Sequence, residues 1–581
     1  MDYHDQYQRW RSDENLDPEL KQELDEIAGD EKKTRERFGR VLTFGTGGIR
    51  GEMGAGTARI NIYLVRKVTM GLARYLLENK GGKDTASVVI AHDTRRNSAR
   101  FARETAAVLA FAGIQAWLFP QPAPTPLLSF AVRELKASAG VVITASHNPP
   151  ADNGYKVYGP DGGQITDIFA QAIMEQINQV QDELAIPTMG LAEAEAKGLL
   201  RWVGKEVADE YVNRVSGISF RHHWWTKGPL PVRVVYTPLH GTGANYVPRV
   251  LRQNGITDLF PVPEQMVPDA SCPTVKCPNP EDWDVYRLAI DLGQRESADL
   301  LMATDLDGDR LGVAVRNVSG GYTPLTGNQL GCLMLEYILS QHKRNRTAPP
   351  NGMVVQTVVT TGMGKAIASG YGVEVVETLT GFKYIGEMIK VRADNHLNTF
   401  LFGYEESYGY LVGDFVRDKD AMQAALLTAE IAAYYRVQGK TVLQALDSLY
   451  AQYGCFQERL INIDLKAGEM DQIGDIMERF RQSDWDHMAG SKVAYVYDYL
   501  TQTQTNPMTG KTAPIHLPSS NSMKIVMEDE AWFCIRPSGT EPKMKIYVGV
   551  RGRSLSDAEQ RLEAIEAEIR NLLIVGPSKQ G

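Results

Sequence analysis

Paired cysteines are the first thing this chain lacks. It has five cysteines in 581 residues, at 272, 277, 332, 455 and 534, and no two form a CxxC pair. An odd, scattered set suits free thiols in a reducing compartment better than a disulfide framework or a zinc site. Long apolar runs are missing too, and with them a membrane-spanning helix. The opening residues, Met1-Asp2-Tyr3-His4-Asp5, are polar and acidic rather than the apolar core of a secretion signal, so a cytoplasmic location is expected. Excess positive charge is absent: the formal net charge is −9, which argues against a surface built for nucleic acid or anionic lipid. A GxSxG elbow is lacking, which removes the usual serine-hydrolase signature.

What is present is a long chain with the composition of a folded protein. At 581 residues it exceeds one hydrophobic core, so several domains are expected. Residues 1–38 are charge-rich and helix-favouring, with Asp17-Pro18 as an N-cap followed by proline at the first helical position, and read as a solvated helical extension. From there short apolar runs alternate with helical periodicity. Ser87–Ala91 reads as a strand, Ser98 to about Ala112 as a helix, Ile114–Leu118 as a strand and Thr125–Leu135 as a helix. The rhythm of a strand followed by a polar loop recurs, giving α/β units over 39–205, 206–320 and 321–452. From about Phe456 the pattern changes to short strands and turns, closed by a helix from Ser556 to Leu573 with a capping box at Ser556 and Glu559. Residues 453–581 therefore read as a smaller α+β domain.

Four loops carry chemistry. Val141-Val142-Ile143 ends a buried strand and leads into Thr144-Ala145-Ser146-His147-Asn148-Pro149, which places Ser146 on a tight loop at the carboxyl end of a strand. A lone serine before an Asn-Pro turn would look the same, and His147, its immediate neighbour, would ordinarily point away from it. Leu300–Thr304 is a second buried strand, ending in Asp305-Leu306-Asp307-Gly308-Asp309-Arg310. Its alternating carboxylates can converge on one hard divalent cation. An EF-hand needs glycine at position six and glutamate at twelve, where this chain has Arg310 and Arg316; an unbound acidic turn remains the plain alternative. Glu405-Glu406-Ser407 offers acceptors for sugar hydroxyls, near the cation Lys419, or is simply a solvated turn. Arg536-Pro537-Ser538-Gly539-Thr540 lies between strands, where a guanidinium, hydroxyls and backbone amides can hold a phosphate, or where the chain just turns. Earlier, Gly45-Thr46-Gly47-Gly48-Ile49-Arg50-Gly51 is a glycine-rich stretch with one guanidinium. The set suits phosphoryl transfer, which needs positioning and charge neutralisation more than a triad.

Taken together, TASHNP at 144–149, DLDGDR at 305–310, YEESYG at 404–409 and RPSGTEPK at 536–543 resemble the motifs of the α-D-phosphohexomutase superfamily, the phosphoglucomutases and phosphomannomutases, in the family's order. The resemblance spans about residues 40–575. It implies three similar mixed α/β domains plus a C-terminal α+β phosphate-binding domain around a central cleft. It implies that Ser146 is the serine phosphorylated in the resting enzyme, that Asp305, Asp307 and Asp309 hold one Mg²⁺ with a phosphoserine oxygen, and that Arg50 and Arg310 are active-site arginines. By the same resemblance Lys156 is a general acid/base and His147 assists proton transfer or orders the loop. Lys383 reads sugar orientation, Glu405 and Ser407 contact the sugar, with the nearby cation Lys419 a further substrate-binding candidate from the residues themselves, and Arg536, Ser538, Gly539 and Thr540 hold the distal phosphate. The implied reaction interconverts glucose 1-phosphate and glucose 6-phosphate through glucose 1,6-bisphosphate, in a monomer or weak dimer. Two departures touch the substrate: Tyr404 replaces the usual glycine, and GTGGIRGEMGAG at 45–56 resembles the branch that also holds phosphopentomutases. Phosphopentomutase or phosphomannomutase activity is thus the alternative within the family; a phosphosugar-binding protein without turnover, or a simple phosphatase, is the alternative outside it.

Overall fold

The computed structural model describes residues 2–44, 48–79, 86–464, 470–537 and 543–575. It forms two compact units, one of Met1–Gly327 with Phe382–Gly439, the other of Asn328–Gly381 with Lys440–Gly581. Among the described residues no helix is long and apolar enough to cross a membrane.

The first unit holds two sheets. Six strands run in the order Ile49–Glu52, Asp152–Tyr158, Ala139–Ile143, Ser87–His92, Gln115–Leu118 and Leu200–Trp202. The last four are parallel and the first two antiparallel to their neighbours. Helices Ile62–Glu78 and Ser98–Phe111 send apolar side chains into the same core as this sheet, which is why strand residues such as Val88, Ile90, Val141 and Ile143 are wholly buried. A five-stranded sheet follows, ordered Tyr322–Leu325, Leu311–Arg316, Leu300–Thr304, Val234–Thr237, Leu259–Pro261. Its edge strand Tyr322–Leu325 lies just beyond the boundary expected at 320.

One device repeats. In each sheet a buried strand parallel to its inner neighbour is followed by a short loop and an antiparallel return: Ala139–Ile143 to Asp152–Tyr158, and Leu300–Thr304 to Leu311–Arg316. Thr399–Glu405 and Gly409–Leu411 make a third such hairpin in this unit. The three loops carry Ser146, the three aspartates and Glu405. An isolated bridge joins Arg310 to Gly409, and the Leu311 amide donates to the Tyr408 carbonyl at 3.1 Å, so the second and third hairpins are stitched together.

The N-terminal segment departs from its reading as a solvated extension. Tyr7, Trp10, Leu16, Leu20, Leu24, Ile27 and Phe38 are buried in the core of the six-stranded sheet. Trp10 packs edge-on against Tyr63 and Phe38, and its indole N–H donates to Glu183 at 2.9 Å. Charged residues dominate the composition of this stretch, but Leu20, Leu24 and Ile27 recur at helical spacing and form an apolar stripe. The Asp17 cap forms as expected, its carboxylate accepting from the Glu19 and Leu20 amides.

In the second unit Gly352–Thr357 and Glu374–Thr378 pair in parallel. The C-terminal part is an antiparallel sheet ordered Cys455–Asp464, Lys543–Gly552, Trp532–Pro537, Met523–Met527, Ser491–Asp498, Thr503–Thr505, Thr512–Pro514. Helices Met470–Gln482 and Leu555–Val575 share its core. The final helix buries a stripe of Ala558, Leu562, Ile565 and Ile569, but its cap is Ser554, whose hydroxyl accepts the Asp557 amide at 3.2 Å; Glu559 pairs with Arg459 instead of closing a box at Ser556.

Candidate active site

The strand Ala139–Ile143 is buried at every residue because it has neighbours on both sides and helices on its faces. Beyond it the chain turns sharply. Ser146 has a left-handed φ of 53°, and its amide donates to Thr144 Oγ1 at 2.8 Å. A left-handed non-glycine residue costs on the order of 1 kcal/mol or more and persists where its surroundings hold it. Ser146 Oγ donates to Asp305 Oδ2 at 2.6 Å, and His147 Nδ1 lies 3.2 Å from Ser146 Oγ. His147 therefore does not point away from the serine; the left-handed turn brings both side chains to one side. Burial, with Arg310 and Arg50 nearby, holds the His147 pKa well below the usual imidazole range, so the ring is neutral.

The aspartate loop is closed by its own first carboxylate. Asp305 Oδ1 accepts the amides of Asp309 and Arg310 at 3.1 and 3.0 Å. Gly308 adopts φ 66°, the left-handed turn that brings the chain back, and a side chain there would press on Pro124 and Thr242. Asp305, Asp307 and Asp309 are buried, and one oxygen from each lies within 4.8 Å of the others. Asp307 Oδ1 and Asp309 Oδ1 are buried without a hydrogen-bond partner among the described residues. Buried carboxylate oxygens left unpartnered beside a third carboxylate fit a hard divalent cation, which takes oxygen ligands. Burial and the neighbouring Asp309 and Asp307 push Asp305 well above the usual carboxylate range. Burial would raise Asp307 too, but Lys156 outweighs it and holds that carboxylate low.

Two lysines and a threonine surround these acids. Lys156 Nζ lies 2.8 Å from Asp307 Oδ2 and 3.5 Å from Asp309 Oδ2, delivered by the strand that pairs with the serine strand, where Lys156 faces Val142 in register. Lys419 Nζ lies 3.1 Å from Asp309 Oδ2 and 3.2 Å from Asp418 Oδ1. Burial opposes its charge, but Asp309, Asp418 and Glu405 more than reverse that and keep it an ammonium. Glu405 is buried at the end of its strand and pushed up by that burial, with Lys419 and Arg310 acting against the shift; Ser407 is half-buried in the adjoining turn. Arg310 pairs with Glu281 at the mouth of the aspartate loop. Arg50 is exposed on Ile49–Glu52, opposite Gly154, and close enough to act on His147. The first hairpin thus meets the second and third at one cluster.

The remaining sequence-derived residues lie elsewhere. Lys383 Nζ is held by Asp167 at 2.8 Å and sits over the Tyr384 ring. Arg536 is the last residue but one of the strand Trp532–Pro537 in the second unit, its Nε buried without a hydrogen-bond partner among the described residues. Ser538, Gly539 and Thr540, like Gly45–Gly47 of the glycine-rich stretch, fall outside the described residues. Sequence reasoning passed over Thr125, whose hydroxyl donates to Asp307 Oδ2 at 2.9 Å while its amide takes the Asp307 carbonyl at 2.8 Å. The signal was thin: a Pro-Thr-Pro start to a helix reads as a cap. Asp418 and Asp167 were missed because each acts through a lysine distant in sequence or already assigned.

Comparison with known proteins identifies the domains that carry these loops. Residues 41–183, 209–321 and 326–453 match the phosphoglucomutase/phosphomannomutase alpha/beta/alpha domains I, II and III. A phosphoglucomutase of Staphylococcus aureus strain MSSA476 is 37% identical over 535 residues, covering 91% of this chain and 93% of that one. Among solved structures, a phosphoglucomutase/phosphomannomutase family protein from Burkholderia thailandensis aligns with a TM-score of 0.66 at 18% identity, covering 92% of this chain and 98% of that one. The open form of the Paramecium exocytosis-sensitive phosphoprotein pp63/parafusin aligns with a TM-score of 0.66 at 16% identity, over 91% of this chain and 93% of that one. The matched domains and the Staphylococcus aureus relative define a phosphotransferase mutase of the isomerase class. The chain belongs to the phosphoglucomutase/phosphomannomutase family, within the α-D-phosphohexomutase superfamily.

Proposed function

We propose that this enzyme interconverts α-D-glucose 1-phosphate and glucose 6-phosphate, with Ser146 as the phosphorylated residue and glucose 1,6-bisphosphate as intermediate and activator. The observation that carries the reading is the Ser146 hydroxyl 2.6 Å from Asp305, within a buried carboxylate cluster that fits a divalent cation. Similarity to a phosphoglucomutase along nine-tenths of the chain supports glucose as the sugar.

In this reading the phosphoryl group passes from Ser146 Oγ to the free hydroxyl oxygen of a sugar monophosphate. The P–Oγ bond breaks as the new P–O bond forms, the sugar hydroxyl loses its proton and Ser146 regains one. Lys156, which carries transferable protons beside Asp307, serves as the general acid/base, and neutral His147 assists at Oγ or orders the loop. Mg²⁺, one per chain, would be held by Asp305, Asp307, Asp309 and the phosphoserine and would supply counter-charge. Arg50 and Arg310 complement the phosphate's charge, while Glu405, Ser407, Lys419 and Lys383 orient the sugar. Arg536, with Ser538, Gly539 and Thr540, grips the phosphate that is not reacting. The bisphosphate then turns end for end and returns its other phosphate to Ser146.

We assign the helical segment to residues 1–38 and the four domains to 39–205, 206–320, 321–452 and 453–581, in a cytoplasmic enzyme that is a monomer or weak dimer. A coupled assay with glucose, mannose, ribose and deoxyribose 1-phosphates, each primed with its bisphosphate, tests the substrate; glucose should dominate, and a dominant pentose rate would overturn that choice.

A further inference from the structure

The segment after strand Ser87–His92, Asp93-Thr94-Arg95-Arg96, takes no part in the reaction just described, yet one of its side chains is wholly enclosed against the serine loop. The Arg95 side chain has no solvent exposure. Its Nη2 donates to the carbonyl of Ser146 at 2.7 Å and of Asn148 at 2.6 Å; its Nη1 donates to the carbonyl of Pro149 at 2.6 Å and of Asp152 at 3.0 Å. One guanidinium thus takes four main-chain carbonyls between Ser146 and Asp152, three from the loop and one from the first residue of the returning strand. A fifth, that of His147, accepts from Cys277 Sγ at 2.8 Å. The carbonyls of residues 146 to 149 are therefore all occupied by buried or half-buried side chains.

The clamp is itself anchored. Arg95 Nε lies 3.3 Å from Asp93 Oδ2, while Asp93 Oδ1 accepts the Arg95 amide at 2.9 Å and the Ser98 hydroxyl at 2.6 Å. Asn153 Nδ2 in turn donates to Ser98 Oγ at 3.0 Å, tying the anchor to the far end of the loop. Strand Ser87–His92 pairs directly with the serine strand, so the two loops leave neighbouring strand ends together.

We infer that Arg95 is the positioning residue for phosphoryl transfer at Ser146: it gathers the loop carbonyls onto its own side and so fixes the left-handed serine with Oγ toward Asp305. The electrostatic reason is direct. Carbonyl oxygens carry partial negative charge, and a loop free to turn them toward a phosphoserine dianion would repel the group it must hold. A planar guanidinium with five fixed donors can take several carbonyls at once, which a lysine ammonium with three movable donors cannot reproduce. Since the clamp sets where Oγ stands rather than how the sugar is gripped, its loss falls on kcat and leaves KM in place.

This rests on the reading of Ser146 as the phosphorylated residue, and the test separates the two. In full-length enzyme, Arg95→Lys should lower kcat by about 10²-fold, the scale of a reacting group displaced by an ångström. KM for glucose 1-phosphate should move less than about threefold, and intact-mass measurement should show phosphate uptake from glucose 1,6-bisphosphate slowed in proportion to kcat. A kcat within threefold of wild type, or a loss expressed as raised KM, overturns the inference. Amide exchange on the wild-type protein decides the matter should the variant not fold: peptides over 145–153 should exchange as slowly as the adjoining strand, and exchange as fast as the exposed turn at 506–511 overturns the clamp. Wild-type protein that takes up no phosphate defeats the reading of Ser146 and this inference with it. Uptake by wild type matched by Arg95→Lys defeats the inference alone.

Discussion

Ser146 Oγ and Asp305 Oδ2 stand 2.6 Å apart although 159 residues separate them in the chain. The hydroxyl donates, so the serine oxygen stands at the carboxylate cluster that fits a divalent cation, the group whose positive charge would balance a transferred phosphate.

Ser146→Ala should remove mutase turnover, by at least about 10⁴-fold, as expected for loss of a nucleophile that acts in every cycle. Alanine keeps the backbone and loses the two Oγ contacts, to Asp305 and to His147 Nδ1, so the denaturant midpoint should correspond to a stability change within about 3 kcal/mol. Full activity in a coupled assay of the folded variant would sink the mechanism.

Metal binding can be read without turnover. At a hundredfold its dissociation constant, Mg²⁺ should stabilise the wild-type protein by about 2.7 kcal/mol, measured as a shift in denaturant unfolding. Asp307→Asn removes the charge of a carboxylate whose Oδ1 is unpartnered among the described residues, and should lose most of that shift. Equal stabilisation of both proteins would place the ion elsewhere.

Asp420 offers a pH test outside the reacting groups. It is wholly buried as the cap of helix Ala421–Val437, accepting from the Met422 and Gln423 amides and from Tyr211. Burial raises its pKa from 3.8 to about 6. The folded state therefore holds this proton more tightly than the unfolded chain does, and the contribution to stability is greatest below pH 4 and declines between about pH 4 and 6. Asp420→Asn does not titrate there. Relative to wild type, the variant should gain on the order of 3 kcal/mol across that window by chemical unfolding, since each pKa unit is worth about 1.4 kcal/mol. A difference that stays flat with pH would contradict the assignment.

The α/β rhythm was legible because buried strands such as Ala139–Ile143 and Leu300–Thr304 are short apolar runs ending in abrupt polarity, and those ends are where the reactive loops lie. The aspartate cluster was legible for the same reason: its three members lie within five residues, 305 to 309, and one turn gathers them. Long-range partners were not. Thr125 lies 182 residues from Asp307, and nothing local to a Pro-Thr-Pro helix start announces a carboxylate partner. Arg95 stood in a conspicuous Asp-Thr-Arg-Arg run, but a guanidinium that serves main-chain carbonyls leaves no pattern at its acceptors, since every residue has a carbonyl. The N-terminal segment misled by composition: Trp10 is only 1% exposed, yet it lies among charged neighbours that dominate an average over the stretch.

The hairpin arrangement also dates the enzyme's competence during synthesis. A ribosome that has completed the six-stranded sheet has released the serine, its loop and Lys156, but neither the carboxylate that Ser146 meets nor the cluster fit for a cation. Those arrive more than a hundred residues later, and the third hairpin, which stitches the aspartate loop in place, a further hundred after that. Local sheets can form early, whereas contacts this distant in the chain close late. Until they do, the nascent protein carries a nucleophile without its chemistry, and activity is the last property the chain acquires.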